Sequence, residues 1–298
     1  MTIAFDAAAP GTVTQSAASN LTSSTFTVGS GSNRALFGFI VTVDGTPASH
    51  SAFKWRGSGG TSATQIGSSF NVGSFGRISA WSLVAPTSAT DTIYGSWAAS
   101  QLYSGIGAAA YTGVNQSTPA GSLATNSGSV SNNFGFNATV VVSTAPGDVV
   151  LAFTYIADGN GSTPLMTPGG TPLGTGRAES ENSIVSYCIQ EVVATGASTT
   201  VTCGIAPTSS NITGDWGMLA FVVAPSSAAV DQKHFRWRND DGSETTATWA
   251  AAEDTPISLA KNTPVRLRVE IGATNDPASA AYKLQYRKVG DSTWRDIN

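Results

Sequence analysis

The run Ala35-Leu36-Phe37-Gly38-Phe39-Ile40-Val41-Thr42-Val43-Asp44-Gly45 is apolar, rich in β-branched and aromatic residues, and closed by a turn dipeptide. A short apolar run of this composition, bounded by glycine, reads as a strand rather than a helix. It returns 114 positions later as Val149-Val150-Leu151-Ala152-Phe153-Thr154-Tyr155-Ile156-Ala157-Asp158-Gly159. Two further echoes follow in the same order: Ile78–Leu83 with Ile184–Ile189, and Gly107–Tyr111 with Gly217–Phe221. Two copies are too few for a solenoid. They are expected to interleave as the two faces of one antiparallel sandwich over residues 1–225, with both long runs central and buried.

The rest of this region carries the same pattern. Candidate strands fall at 23–28, 35–43, 75–84, 90–97, 107–114, 137–142, 148–157, 183–193, 199–205 and 216–223. Turns are signalled at Asp44-Gly45, Pro146-Gly147-Asp148 and Asp158-Gly159, and no convincing helix of three turns is found. The fold class is therefore all-β. No window approaches the roughly 18 apolar residues of a membrane-spanning helix.

Charge divides the chain in two. Residues 1–229 hold 5 Lys/Arg and 9 Asp/Glu, whereas residues 230–298 hold 10 of each. Residues 226–230 read as a linker between a large domain surfaced with Ser, Thr, Gly and Asn and a small one with mixed charge over 231–298. Overall the chain is 11% charged, against roughly 25% in an ordinary domain. Its net charge of -4 argues against nucleic acid or an anionic membrane as partner. In the small domain, Val265, Leu267, Val269 and Ile271 alternate with Arg266, Arg268 and Glu270, and Tyr282, Leu284 and Tyr286 alternate with Lys283, Gln285 and Arg287. Strands with one dry and one wet face are expected, packing beside Phe235 or Trp237.

The stretch from Tyr282 to Arg295 resembles the C and C′ strands of a fibronectin type III or related immunoglobulin-like domain. That resemblance implies later strands beyond Asn298, or another segment that completes the sheet. Gly31–Leu36, Trp81–Pro86 and Ala110–Pro119 resemble a jelly-roll-like sandwich found in bacteriophage virion proteins and bacterial surface proteins. The resemblance implies a displayed structural protein and names no reaction.

Chemistry-bearing residues are sparse. A Ser-His-Asp triad would have to use His50 or His234, and no Gly-x-Ser-x-Gly elbow surrounds any serine. Glu179 and Glu181 form the one close Glu pair of the large domain, in a loop-like setting. Asp158-Gly159-Asn160-Gly161 and Asn239-Asp240-Asp241-Gly242 offer oxygen ligands for calcium, but such dipeptides are first of all turn sequences. Asn-x-Ser/Thr occurs at Asn20, Asn115, Asn137, Asn160 and Asn211, as chance allows in such a composition.

Trp81 and Trp97 lie in apolar strand patterns and are expected in the core. Trp55, between Lys54 and Arg56, is the candidate for stacking on a glycan. Cys188 and Cys203 are symmetric about Thr195-Gly196-Ala197, so a hairpin there would bring them together as a candidate disulfide.

The reading is a non-enzymatic phage virion protein on the particle exterior, as capsid decoration, head fibre or tail-associated adhesin. Its partners would be other virion proteins, with a host-surface glycan and self-association as further options, and no cofactor, metal or membrane insertion. Met1–Asp6 lacks a signal-like basic or apolar region, which suits assembly in the host cytoplasm. The alternative is a secreted or surface carbohydrate-binding module.

Overall fold

A computed structural model describes residues 2–159, 163–170, 174–180, 184–207, 211–226, 229–243, 245–260, 262–274, 285–286, 292–293 and 295–296. Among these residues there are strands and turns and no helix. Contacts divide the chain into two units, residues 2–226 and residues 227–298.

In the large unit the first half contributes β1 (Ala4–Ala8), β2 (Thr12–Thr14), β3 (Ala18–Thr22), β4 (Phe26–Val28), β5 (Ala35–Val43), β6 (His50–Trp55), β7 (Thr61–Ser62), β8 (Thr64–Val72), β9 (Gly76–Val84), β10 (Ala89–Asp91), β11 (Ile93–Gln101) and β12 (Tyr103–Thr112). The second half contributes β13 (Ala124–Asn133), β14 (Phe136–Ser143), β15 (Val149–Asp158), β16 (Leu165–Gly169), β17 (Thr175–Ser180), β18 (Val185–Val193), β19 (Ser198–Ala206) and β20 (Ile212–Val223).

The main sheets of the two halves share one strand order, and the first half adds β7 and a separate β4–β10 pair. A large antiparallel sheet runs β1-β12-β5-β9-β8 in the first, with β2 extending the β1 edge, and β13-β20-β15-β18-β17 in the second. A small sheet runs β3-β11-β6-β7 in the first and β14-β19-β16 in the second. Each small sheet covers one face of its own large sheet. Leu36 and Ile40 of β5 pack there with Phe53, Trp55 and Trp97, and Val150 and Ile156 of β15 pack with Val140, Val201 and Ile205.

The alternate residues of the large sheets form a third core between the two halves. Phe37, Phe39 and Val41 of β5 meet Leu151 and Phe153 of β15 and Tyr187 of β18 across it. The expectation of one interleaved sandwich is thus corrected. Each repeat builds its own two-sheet sandwich, and the two sandwiches stack through their large sheets, giving four layers. The reason lies in β5 and β15 themselves. A strand buried on one face alternates apolar and polar residues; these are apolar on both faces because each covers two cores. All nine residues of β5 are buried.

Phe39 and Phe153, equivalent positions of the two repeats, stack on one another with ring centroids 4.9 Å apart and planes 4° apart. Self-pairing of equivalent residues is the mark of an isologous interface, so the halves are related by an approximate two-fold passing between these rings. Close approach also needs glycine in the right places: a Cβ on Gly38, mid-strand in β5, would lie 2.2 Å from the Phe53 ring that covers it.

The predicted hairpin of 183–193 with 199–205 is also corrected. β18 pairs with β15 and β17, whereas β19 pairs with β14 and β16 in the facing sheet. The connection crosses from one layer to the next. Cys188 and Cys203 therefore enter the same core from opposite sheets, as buried thiols without a disulfide.

In the small unit, β21 (Ala229–Asn239) and β22 (Val265–Thr274) form a long antiparallel pair that sets Phe235 opposite Val269 and Trp237 opposite Leu267. Leu267 is 36% and Ile271 53% exposed, so this row is only partly dry. Short β23 (Gln285–Tyr286) pairs with β24 (Arg295–Asp296). Tyr282 and Leu284 lie outside the described residues.

Candidate functional site

The seam between the two stacked sandwiches is sealed by polar contacts at one end of its strands and opens into a cavity at the other. At the sealed end, the Tyr111 hydroxyl donates to Glu191 Oε2 at 2.8 Å, and Arg177 pairs with the same carboxylate at 2.8 Å. The Arg177 guanidinium lies 4.1 Å from the centre of the Phe5 ring. Burial, reinforced by Glu191, pushes the Tyr111 hydroxyl well above the usual phenol range. Further along, the Tyr187 hydroxyl donates to the Ile106 carbonyl and accepts from Thr12 N–H at 3.0 Å.

The open end holds a cavity of about 410 Å³, within the range of small-molecule sites. Its lining repeats the two-fold. Asp44-Gly45 closes β5 on one side and Asp158-Gly159 closes β15 on the other, the same dipeptide that ends both copies of the repeat. Leu102 and Tyr103 at the start of β12 face Thr213 to Asp215 at the start of β20. Phe75 and Leu102 are 55% and 49% exposed at this lining, unusual for such side chains.

Each turn aspartate ties down its own half. Asp44 accepts Gly45 N–H at 2.6 Å and Leu102 N–H at 3.1 Å, and Asp158 accepts Thr213 N–H at 3.0 Å. A third carboxylate, Asp215, accepts the Ser129 hydroxyl. Tyr155 does not line the cavity but packs behind its Gly76 wall. It is fully buried, and its hydroxyl has no hydrogen-bond partner among the described residues, in contrast to Tyr111 and Tyr187. The hydroxyl is directed at Gly76 in the cavity wall, where an added Cβ would sit 1.7 Å from it. Burial and then the Asp215 charge hold it well above the usual phenol range. A buried hydroxyl left unpaired costs about 1–3 kcal/mol.

The residues singled out from sequence lie elsewhere. Trp55 is 0% exposed, in T-shaped contact with Phe26, and its indole N–H donates to the Thr87 carbonyl at 2.9 Å. The glycan-stacking expectation for Trp55 is therefore corrected: its position on β6 faces the core of the first sandwich, while Lys54 and Arg56 take the wet side. Trp81 and Trp97 are buried as expected.

His50 is on strand β6 rather than in a loop, 9% exposed, held between Thr42 Oγ1 at 3.1 Å and Ser79 Oγ at 2.6 Å. Burial first, then the nearby Arg77 charge, lowers its pKa to about 3. A neutral, enclosed imidazole of this kind links strands. Glu179 is exposed on β17, and Glu181 lies outside the described residues, as do Asn160 and Gly161 of the first calcium-type loop. In the second, Asp240 pairs with Arg266 of β22 at 2.6 Å and Asp241 accepts Thr248 N–H at 2.9 Å, so one carboxylate ties to the neighbouring strand and the other to the local turn.

Sequence reasoning missed one cluster in the small unit. His234, Glu253 and Asp254 bring ligand atoms within 4.8 Å of one another, all exposed. His234 Nδ1 lies 2.6 Å from Asp254 Oδ2, and Asp254 Oδ1 accepts Phe235 N–H at 3.0 Å, so Asp254 is committed to fixing the chain. The hydrogen bond to Asp254 raises the His234 pKa. Beside it, Trp249 lies under the Arg236 guanidinium at 4.2 Å and the Arg238 guanidinium at 5.1 Å.

No protein-family model, curated protein or solved structure matches this chain.

Proposed function

We propose that this chain is a non-enzymatic structural protein displayed on the exterior of a bacteriophage virion. The observation that carries the reading is a coincidence of boundaries. The change from an almost uncharged polar surface to mixed charge near residue 229 falls where the chain divides into two compact units, at residues 226 and 227. Two modules with different surface chemistry suit one part that is displayed and another that attaches to the remaining virion proteins.

The strand order supports a jelly-roll-like assignment for each repeat. Numbering the eight equivalent strands of a half in chain order, the large sheet runs first, eighth, third, sixth, fifth, and the small sheet second, seventh, fourth. In the first half the β6–β7 pairing adds the beginning of the fifth-strand segment to the small sheet, where a jelly roll keeps its fifth strand. The rest of the segment departs from that pattern by joining the large sheet. The small unit is read as immunoglobulin-like from its resemblance and from its long β21–β22 pair. With Trp55 in the core, the carbohydrate-binding alternative has lost the aromatic residue that recommended it.

The test is mass spectrometry of purified particles from a lysate of the producing host. Peptides of this chain should co-purify with the particles in constant ratio to the major capsid protein. Their presence only in the particle-free fraction would refute the reading.

A further inference from the structure

We propose that a pocket on the small unit binds an acidic sugar, its carboxylate held by paired arginines and its ring by Trp249. The arginines follow from the β21–β22 register. Arg236 stands directly opposite Arg268, and in the next row Arg238 stands opposite Arg266. A further segment runs back along β21, with Trp249 bridged to Arg238 and Ala250 N–H donating to the Trp237 carbonyl at 2.9 Å. Like charges directly opposite one another on paired strands are destabilising. The Arg238–Arg266 row is compensated within the fold. Arg266 pairs with Asp240 at 2.6 Å, and Arg238, 3% exposed, donates to the Ala247 carbonyl at 2.7 Å. The Arg236–Arg268 row instead lines a pocket of about 320 Å³. Arg236 gives its Nε–H to the neutral Ala251 carbonyl at 3.1 Å and has no carboxylate partner among the described residues.

Three kinds of group meet in this pocket. The terminal nitrogens of Arg236 form a fork that matches the two oxygens of a carboxylate. Trp249 offers an apolar surface: it is 42% exposed even with the Arg236 guanidinium 4.2 Å from its ring centre. Glu253 and Glu270 lie on either side of His234 and supply acceptors. A hexuronate answers all three, with a carboxylate for the arginines, a C–H face for the indole and hydroxyls that donate to the glutamates. A neutral sugar would leave the arginine pair without a counter-charge. An acidic peptide would bring carboxylates towards Glu253 and Glu270 with no hydroxyl to give them. The site stands on the small unit alone and does not depend on display by a virion. The same chemistry is available from a free uronate and from an acidic polysaccharide.

The experiment is a titration of the full chain, followed by amide and indole chemical shifts, with four probes: methyl galacturonide, methyl galactoside, trigalacturonate and a blocked diglutamate peptide. The galacturonide should shift the Trp249 indole and the amides of residues 234–236 and 268–270. It should bind about tenfold or more tightly than the galactoside, the gain expected of a hydrogen bond between charged groups. Arg268→Gln, at an exposed position, should remove most of that preference and leave the galactoside unchanged. Trp249→Ala should weaken both sugars about tenfold; if that variant fails to fold, Arg268→Gln decides alone. Tighter binding of trigalacturonate than of the single uronate would assign the natural ligand to an acidic polysaccharide, and equal binding to a free uronate; either result upholds the site. Equal affinity for galacturonide and galactoside, a peptide that binds as tightly as the galacturonide, no effect of Arg268→Gln, or no shift at Trp249 would overturn it.

Discussion

A protonated imidazole at position 50 would have to sit between Thr42 and Ser79 with Arg77 close by, and the low pKa of about 3 expresses that cost. In the unfolded chain the same group titrates near 6.5. The unfolded state therefore binds the proton first, and stability is lost as pH falls from about 6.5 towards 3. The contribution is full above that window and at most on the order of 5 kcal/mol. Thermal unfolding between pH 7 and pH 4 should show a steeper loss for the natural chain than for His50→Asn. Parallel curves would mean that His50 is solvated.

Tyr155 is the complementary case. Because its hydroxyl has no partner among the described residues, Tyr155→Phe should leave the stability to unfolding unchanged or raise it by up to about 1 kcal/mol. A loss of more than about 1 kcal/mol would show that the hydroxyl is satisfied in solution. Neither role could be read from the sequence. His50 sits among Ser and Ala that look like a loop, and Tyr155 matters only because Gly76 faces it across the seam. Trp55 misled for a related reason: flanking charges suggested exposure, but in a strand the neighbours of a core residue point the other way.

At the scale of elements, every strand buried on both faces is legible in the sequence, together with β4, β11, β14 and β19 of the small sheets. β5, β9, β12, β15, β18 and β20 make up the interiors of the large sheets, and their apolar runs carry the repeat. The strands missed were edges and covers. β13, with the sequence Ala124-Thr125-Asn126-Ser127-Gly128-Ser129-Val130-Ser131-Asn132-Asn133, has no apolar alternation and is held as a strand by its pairing with β20. Layer assignment was also invisible, since a hairpin and a crossing between sheets have connections of similar length. That is why a register argument brought Cys188 and Cys203 together on the wrong surface. Both thiols are enclosed between the β15 sheet and the β14–β19–β16 sheet. They should accordingly resist a thiol reagent in the native protein and react together on unfolding. Fast labelling of either one in native buffer would contradict the placement of β18 and β19.

For the whole molecule, the small unit divides from residues 2–226 in contacts as well as in charge. Deleting residues 230–298 should leave the large unit folded, with an unchanged cooperative unfolding transition, while abolishing incorporation into particles. Normal incorporation of the truncated chain would remove the attachment role proposed for the small unit. Within residues 2–226, neither sandwich should be stable alone, because each would expose the large-sheet face that forms the shared core. The two halves, expressed together as separate chains broken between β12 and β13, should associate and co-purify. Independent folding of either half as a monomer would argue against the stacked arrangement.

That arrangement rests most directly on Phe39 and Phe153, whose rings stack at the two-fold. Truncating either to alanine should cost about 3–5 kcal/mol, but a core phenylalanine in any fold would do the same. The distinguishing measurement is the nuclear Overhauser effect between the two rings in protein labelled selectively at phenylalanine, with Phe153→Leu assigning the cross-peak. At a centroid separation of 4.9 Å, a strong Phe39–Phe153 cross-peak is expected, and it should vanish in the variant. Its absence from the natural chain, with Phe39 assigned to neighbours in the first repeat alone, would contradict the stacking of two sandwiches across a shared core.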